Sequence, residues 1–311
     1  MKGIVTKSIG SSYVVLCDDG TCYECRLKGN FKIKVISSTN PLAVGDKVQF
    51  ELPGDKSVGL ITEIGDRHNY IVRKSTKLSK RQHIIACNID QSVIIVTLAF
   101  PRTSTGFIDR FLITTEEYHI PAFVVFNKVD LYPEDYINYL EELKSLYESL
   151  GYGCLVTSAT EKKGLDDFSS LLKDKISLLV GHSGVGKSAL INAIQPGLNL
   201  KLGEISLCHL KGRHTTTFAE MHQLSFGGFV IDTPGIKELG MIHVKPEEIA
   251  GYFPEMRKLL PKCKYHNCTH IHEPDCAVLA ALEKGEISPS RYHNYLGMLN
   301  DEGIEKSREW E

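Results

Sequence analysis

The sequence predicts an α/β protein in three parts: a small N-terminal β-barrel, a doubly wound α/β domain organised around a Gly-rich loop, and a C-terminal helical unit rich in cysteine and histidine. Three observations predict this. Five short strand-like runs separated by turn residues fill positions 1–70. Apolar runs alternate with helical patterns from 91 to about 240. Three cysteines crowd together with histidines in 263–276.

Composition sets the outer bounds. The 311 residues are 42% apolar and 24% charged, the balance of an ordinary globular chain, which excludes a disordered, collagenous or coiled-coil protein. Net charge is −2, from 36 basic and 38 acidic side chains. No global field draws such a chain to nucleic acid or membrane, so either kind of binding needs a local patch. The most apolar window, Val93–Phe100, is far shorter than the ~20 residues of a spanning helix. Met1–Gly10 lacks the apolar stretch of a secretory signal. Nine cysteines without such a signal point to a reducing, cytoplasmic setting and to metal-bound or buried thiols.

In residues 1–70, Gly3-Ile-Val-Thr, Ser12-Tyr-Val-Val-Leu, Thr21-Cys-Tyr-Glu-Cys-Arg-Leu, Lys47-Val-Gln-Phe-Glu and Gly59-Leu-Ile-Thr-Glu-Ile read as strands. Asp18-Asp19-Gly20, Gly29-Asn30, Val44-Gly45-Asp46 and Pro53-Gly54-Asp55 supply the turns. Five strands in this arrangement fit a barrel of the oligonucleotide-binding (OB) type, and equally any small β-sandwich. Residues 71–90 read as a basic linker. Across 67–83 the bases Arg67, Arg73, Lys74, Lys77, Lys80 and Arg81 occur without a single acid, which suits either a solvated face or phosphate contact.

In 91–240, Val93–Val96, Ala122–Phe126, Cys154–Val156, Ile176–Val180 and Phe229–Ile231 read as buried parallel strands. Over 134–150, Tyr136, Leu140, Leu143, Tyr147 and Leu150 share one helical face, and Gly151 stops the helix. In 241–311, Ser288-Pro289 marks a helix start, and Tyr292, Tyr295, Leu296 and Leu299 form a packing stripe.

The chemistry lies in four motifs. Gly181-His182-Ser183-Gly184-Val185-Gly186-Lys187-Ser188 is a full GxxxxGK[ST] match between an apolar strand and a helix. Glycines let backbone N–H groups wrap phosphates, the lysine reaches the β- and γ-phosphates, and the serine ligates Mg²⁺. Asp232-Thr-Pro-Gly235 ends a strand. Its acid suits a carboxylate holding Mg²⁺ through water, and Gly235 suits an N–H that senses the γ-phosphate. Asn127-Lys128-Val129-Asp130 also follows a strand. Asp130 can accept from guanine N1–H and the 2-amino group, which adenine lacks. Asn127 would tie loops together and Lys128 would lie along the base. Thr157-Ser158-Ala159 can offer a backbone N–H to guanine O6. Lastly, Cys263, Cys268, His270 and Cys276 make a closed set of soft ligands suited to structural Zn²⁺, with His266 and His272 as rival imidazoles. Cys22 and Cys25 form a CxxC on a strand, where residues three apart face opposite ways, and read as structural. Cys17, Cys87, Cys154 and Cys208 read as inert.

These motifs resemble those of translation-factor-class GTPases, with one change of order. Asn127–Asp130 and Ser158-Ala159 precede Gly181–Ser188, which is a circular permutation. The permuted order, the barrel, the Cys/His insert and the stretches Gly212-Arg-His-Thr-Thr-Thr217 and Tyr252-Phe-Pro-Glu255 together resemble the bacterial small-ribosomal-subunit-dependent GTPases, the RsgA or YjeQ family. The resemblance spans the chain. It implies a circularly permuted P-loop GTPase domain between an OB-type barrel and a zinc-binding helical domain. It also implies hydrolysis of GTP to GDP and phosphate, slow alone and stimulated by the small subunit, with rRNA contact during late subunit maturation. The zinc spacing is that of the family. Gly212–Thr217 corresponds to the first switch, with Thr216 or Thr217 as the Mg²⁺ ligand. Ile236 stands where many GTPases carry a water-orienting glutamine, so His214 becomes the candidate for that role.

Two other readings compete. Nine cysteines and twelve histidines suit a metal-handling GTPase, a metallochaperone, although a closed Cys₃His set opposes delivery. Ile236 permits a nucleotide-gated RNA-binding module without useful catalysis. No long hydrophobic interface is visible, so the expected state is a monomer.

Overall fold

The computed structural model describes residues 1–28, 40–54, 58–73, 83–198, 219–232 and 244–308. The five N-terminal runs form strands β1 (Lys2–Ile9), β2 (Ser12–Leu16), β3 (Cys22–Leu27), β4 (Lys47–Glu51) and β5 (Val58–Ile64). They close into a barrel in the order β1-β2-β3-β5-β4, with β4 returning to β1. The β4–β1 pairing closes the OB-type barrel, and alternation along its strands fills it. In β4, Val48 and Phe50 are buried while Lys47, Gln49 and Glu51 face water. Val5, Tyr13, Val15, Cys25, Leu42 and Ile61 complete the barrel core.

Strand β1 serves two sheets. Lys2–Ile4 pair with β4, the register against β2 shifts between Val5 and Lys7, and Lys7 then pairs with Glu220 of β12 (Glu220–Gln223). A bulge bends the strand from one partner to the next. The Lys7 ammonium lies 3.2 Å from the Glu220 carboxylate, so the barrel wall continues into the sheet of the second domain.

The 71–90 stretch, read as a basic linker, holds two paired strands, β6 (Tyr70–Arg73) and β7 (His83–Cys87). Its lysines and arginines mask an apolar set: Ile71, Val72, Ile84 and Ala86 are buried. The Asn40 side chain locks this hairpin to the barrel through both main-chain groups of Ile84, at 2.9 and 3.1 Å. Arg67, read with this basic stretch as part of a solvated face or a phosphate contact, is turned inward. It grips the fully buried Asp46 with two bonds of 2.7 and 2.6 Å. Lys74, Lys77, Lys80 and Arg81 lie outside the described residues.

In the second domain, β8 (Gln91–Val96), β9 (Ala122–Phe126), β10 (Gly153–Val156), β11 (Ile176–Val180) and β13 (Phe229–Asp232) are parallel, in the order β10-β9-β8-β11-β13. Strand β12 adds antiparallel to β13. Alternate residues serve the two faces. Ile94, Val96, Val124, Phe126 and Leu178 meet α1 (Thr105–Glu117) and α2 (Glu134–Ser149). Val93, Ile95, Val125 and Leu179 meet α3 (Leu165–Leu172) and α4 (Lys187–Ile194). Because both faces are covered, all six residues of β8 are buried.

The C-terminal unit carries α5 (Pro254–Arg257), α6 (Ala277–Glu283) and α7 (Pro289–Arg308). Its core of Val244, Ile249, Phe253, Met256, Val278, Tyr295 and Met298 takes in Ile113 of α1. A buried ion network fastens it there. Arg291 is 1% exposed and donates to Asp109 of α1 at 2.8 Å and to Glu255 at 2.7 and 3.1 Å. Asn294 and Tyr147 donate to the same Asp109 at 2.6 and 3.0 Å. Burial pushes the Asp109 carboxyl up, and the Arg291 charge opposes it. Replacing Arg291 by alanine would leave buried carboxylates without their cation. Arg291→Ala should lower unfolding free energy by about 3–5 kcal/mol in urea denaturation; a loss below about 1 kcal/mol would show that the network does not hold this interface.

Candidate nucleotide-binding site and metal centre

Strand β11 delivers the loop Gly181–Ser188 and α4 leaves it. Two glycines are dictated by close approach. Gly181 has φ +152°, and a Cβ there would lie 2.3 Å from the Ile95 carbonyl oxygen. Gly186 has φ +94°, and a Cβ there would lie 2.5 Å from the Asn127 amide nitrogen. Side chains at these positions would push the loop off its neighbours. Lys187 is 7% exposed, and its ammonium donates to the Gly181 and His182 carbonyls at 2.5 and 3.2 Å. Burial lowers its pKa, while Asp232 opposes the shift. Ser188 is buried beside it. Ser183 and Gly184 are exposed, and Val185 is buried. The His182 ring stacks on Phe107 of α1, with centroids 3.8 Å apart. Asp232 ends β13, in register with Leu179 of β11 and Glu220 of β12. His214, Thr216, Thr217 and Gly235 lie outside the described residues.

Asn127, at the end of β9, joins three loops. Its amide donates to Val185 O of the Gly-rich loop at 2.8 Å, and its side-chain carbonyl accepts from Thr157 at 3.0 Å. Its main-chain N–H donates to Val96 at 2.8 Å. Lys128 takes a left-handed conformation, φ +60°, and its ammonium donates to Phe100 O at 3.0 Å. Asp130 sits half-exposed in a 3-10 turn, Val129–Leu131. Ser158 is fully buried and exchanges both main-chain bonds with Lys163 at 3.0 Å. Ala159 follows it, half-exposed.

In the C-terminal unit, Cys263, Cys268, His270 and Cys276 converge, their ligand atoms all within 4.8 Å of one another. His270 presents Nδ1, 3.7 Å from Cys263 Sγ and 3.4 Å from Cys276 Sγ. The rival imidazoles His266 and His272 are exposed and outside the cluster. The Glu273 carboxylate braces the ligand loop through the amides of Thr269, Ile271 and His272 at 2.6, 3.0 and 3.2 Å. Tyr292 holds the His270 carbonyl at 2.7 Å. Burial and the neighbouring thiols push the Cys268 thiol up to about 12. A soft dication stabilises crowded thiolates, so three sulfurs and one nitrogen converging on a point fit a tetrahedral Zn²⁺ site. Elsewhere, Cys22 is exposed and Cys25 buried on β3, so the pair does not converge.

The family model described as RsgA GTPase matches residues 64–242, and that of the RsgA N-terminal domain matches residues 2–61. The chain belongs to the RsgA GTPase family. It is 54% identical over 308 residues to small ribosomal subunit biogenesis GTPase RsgA 2 of Bacteroides thetaiotaomicron, covering 99% of both chains. It is 52% identical to the corresponding protein of Flavobacterium johnsoniae, over 96% of this chain and 93% of that one. Among solved structures it resembles YjeQ from Thermotoga maritima, with TM-score 0.77 and 36% identity over 97% and 98% of the two chains. It also resembles YloQ, a circularly permuted GTPase, with TM-score 0.74 and 29% identity over 98% and 95%. Membership makes this chain a GTP hydrolase that works on guanine nucleotide with Mg²⁺. The metallochaperone reading finds no support in these relatives. Among the described residues no helix is long and apolar enough to cross a membrane.

In this RsgA-family GTPase, Asp109 and Arg291 are what sequence reasoning missed. They meet across 182 positions, and no periodicity signals such a pair. Glu255 was visible only as part of Tyr252–Glu255. Two outcomes test the site. Asn127→Ala should weaken GDP binding roughly 10–100-fold in calorimetric titration, because several buried bonds are lost at once. The purified protein should carry one zinc per chain by elemental analysis. Cys276→Ser should lose that zinc and lower the melting temperature, since Cys276 Sγ also caps α6 through Leu279 N.

Proposed function

We propose that this GTPase hydrolyses GTP on the small ribosomal subunit during its late maturation, with the barrel and the zinc unit contacting rRNA. The observation that carries the reading is the end-to-end likeness to relatives named for small-subunit biogenesis, covering 99% of both chains. A partner of that size suits a chain whose three parts are joined by the β1–β12 pairing and the buried Arg291–Asp109 pair.

The same proposal assigns the residue roles. Asp130 accepts from guanine N1–H and the 2-amino group, with Lys128 along the base. Ser158 spends its N–H on Lys163, so the Ala159 N–H is assigned to O6. Lys187 exchanges the Gly181 and His182 carbonyls for phosphate oxygens, which accept more strongly because they are charged. Gly181–Gly186 supply backbone N–H groups around the phosphates. Mg²⁺ would be held by Ser188, by Thr216 or Thr217, and through water by Asp232, and it would neutralise charge on the β- and γ-phosphate oxygens. The Gly235 N–H senses the γ-phosphate. Ile236 has no polar group, so His214 is assigned to the attacking water. The Cys₃His set holds one structural Zn²⁺. Monomeric state and cytoplasmic location belong to the same proposal.

Steady-state turnover with and without purified small subunits tests it. GTP hydrolysis should be slow alone and rise by an order of magnitude or more with the subunit. ATP should not be hydrolysed, and Ser188→Ala should abolish the rise. An unchanged rate would overturn the ribosomal reading and leave the GTPase intact. His214→Ala should keep GDP affinity and lose stimulated turnover; full turnover would remove His214 from the mechanism.

A further inference from the structure

We infer that Tyr132 is a positioning residue for base recognition: its hydroxyl closes the loop that carries Asp130 and fixes it against the 97–103 loop. The inference rests on the assignment of Asp130 to guanine. Tyr132 Oη donates to the main-chain carbonyl of Asn127 at 2.9 Å and accepts from the Leu98 N–H at 2.9 Å. One hydroxyl thus uses both of its roles on backbone groups of two different loops.

The first bond makes a ring. Residues 127–132 leave β9, turn through Val129–Leu131, and return through the Tyr132 side chain to the carbonyl where they began. Within the turn, Leu131 donates to Lys128 O at 3.0 Å and Tyr132 to Val129 O at 3.3 Å. Asp130 therefore sits on a closed loop. The ring also encloses Lys128, whose left-handed φ is disfavoured for a residue with a Cβ and needs support from its surroundings.

The second bond supplies an abutment. The 97–103 loop is tied at its own base by Thr103 N to Thr97 O at 2.8 Å, Thr97 N to Thr103 Oγ1 at 3.3 Å, and Thr97 Oγ1 to Pro101 O. It meets the Asp130 loop twice, at Leu98 through Tyr132 and at Phe100 through Lys128. Asn127 is consequently held from both sides: its side chain by the Gly-rich loop and its main chain by Tyr132. A phenol is protonated at neutral pH in any case, and burial pushes this one further up, to about 12, so the hydroxyl is available as a donor. Guanine selectivity depends on placing one carboxylate opposite two N–H donors. A carboxylate carried out of hydrogen-bond range loses the base contact and leaves phosphate binding unchanged.

Tyr132→Phe removes the hydroxyl and keeps the ring. Dissociation constants and release rates for GDP and ADP, GTP turnover and melting temperature would be measured on the full chain, with Asp130→Ala in parallel. The expected result is roughly tenfold weaker GDP binding through faster release. ADP affinity should hold, so the GDP-to-ADP ratio falls by the same factor. KM for GTP should rise far more than kcat falls. A proportionate loss of GDP and ADP affinity, or an unchanged ratio with a lower melting temperature, would overturn the inference and reduce Tyr132 to a structural residue. If Asp130→Ala also leaves the ratio unchanged, the base assignment itself fails. If Asp130→Ala collapses the ratio and Tyr132→Phe does not, only the role of Tyr132 falls.

Discussion

The side chain of Asn127 is where three loops of the nucleotide site are joined. It is 1% exposed, and both ends of its amide are paired, one to the Gly-rich loop and one to Thr157. In a dry interior each broken bond of this kind leaves a polar group that costs about 1–3 kcal/mol. The three loops therefore hold a common register. What makes the meeting possible is the strand order β10-β9-β8-β11-β13. Parallel strands place their C-terminal ends on one edge of the sheet, and a ligand binds at that edge. Changing the order of loops along the chain does not move that edge. The permuted GTPase keeps its site because its contacts depend on neighbours in the sheet, which the permutation leaves in place.

The three parts of the molecule are fastened by ionic junctions of unequal strength. Lys7 and Glu220 are substantially exposed, and pairs of that kind contribute little by themselves. The backbone pairing of β1 with β12 carries that joint. Arg67 with Asp46, and Arg291 with Asp109 and Glu255, are buried, and their geometry is enforced by the cost of an uncompensated charge. Asp46 caps Ala43 N and faces Cys87 Sγ at 3.1 Å as well, so one carboxylate organises the seam between barrel and hairpin. The Arg291 network does the same between α1 and α7. Because α1 also carries Phe107, stacked on His182, the helix that anchors the C-terminal unit touches the phosphate loop directly.

The C-terminal unit is small and its helices are short, apart from α7. Its apolar core is completed from outside by Ile113, and from within by the Cys₃His cluster. A closed four-ligand site of this kind would add folding free energy to the unit when a metal is bound. Glu273, Tyr292 and Tyr295 are engaged on the backbone of the ligand loop, so the loop geometry is set by hydrogen bonds as well as by the ligands.

The barrel strands, the parallel strands β8 to β11 and β13, the Gly-rich loop and the cysteines of the Cys₃His cluster were legible in the sequence because each is written locally. Alternation, apolar runs and ligand spacing are properties of neighbours in the chain. Selection of His270 over His266 and His272 was not local. It required the fold that brings Nδ1 to the thiols. The hairpin β6–β7 was hidden because lysines and arginines dominate a stretch whose buried residues are few. Arg67 read as part of a solvated or phosphate-facing run, but the fold brings Asp46 to it, and Arg291 and Tyr132 carried no local signal at all. The sequence by itself determined the fold class and the family. Only the tertiary structure decided which charges turn inward and that the Tyr132 hydroxyl joins Asn127 to Leu98, because a buried polar group is defined by partners that its own stretch of sequence does not name.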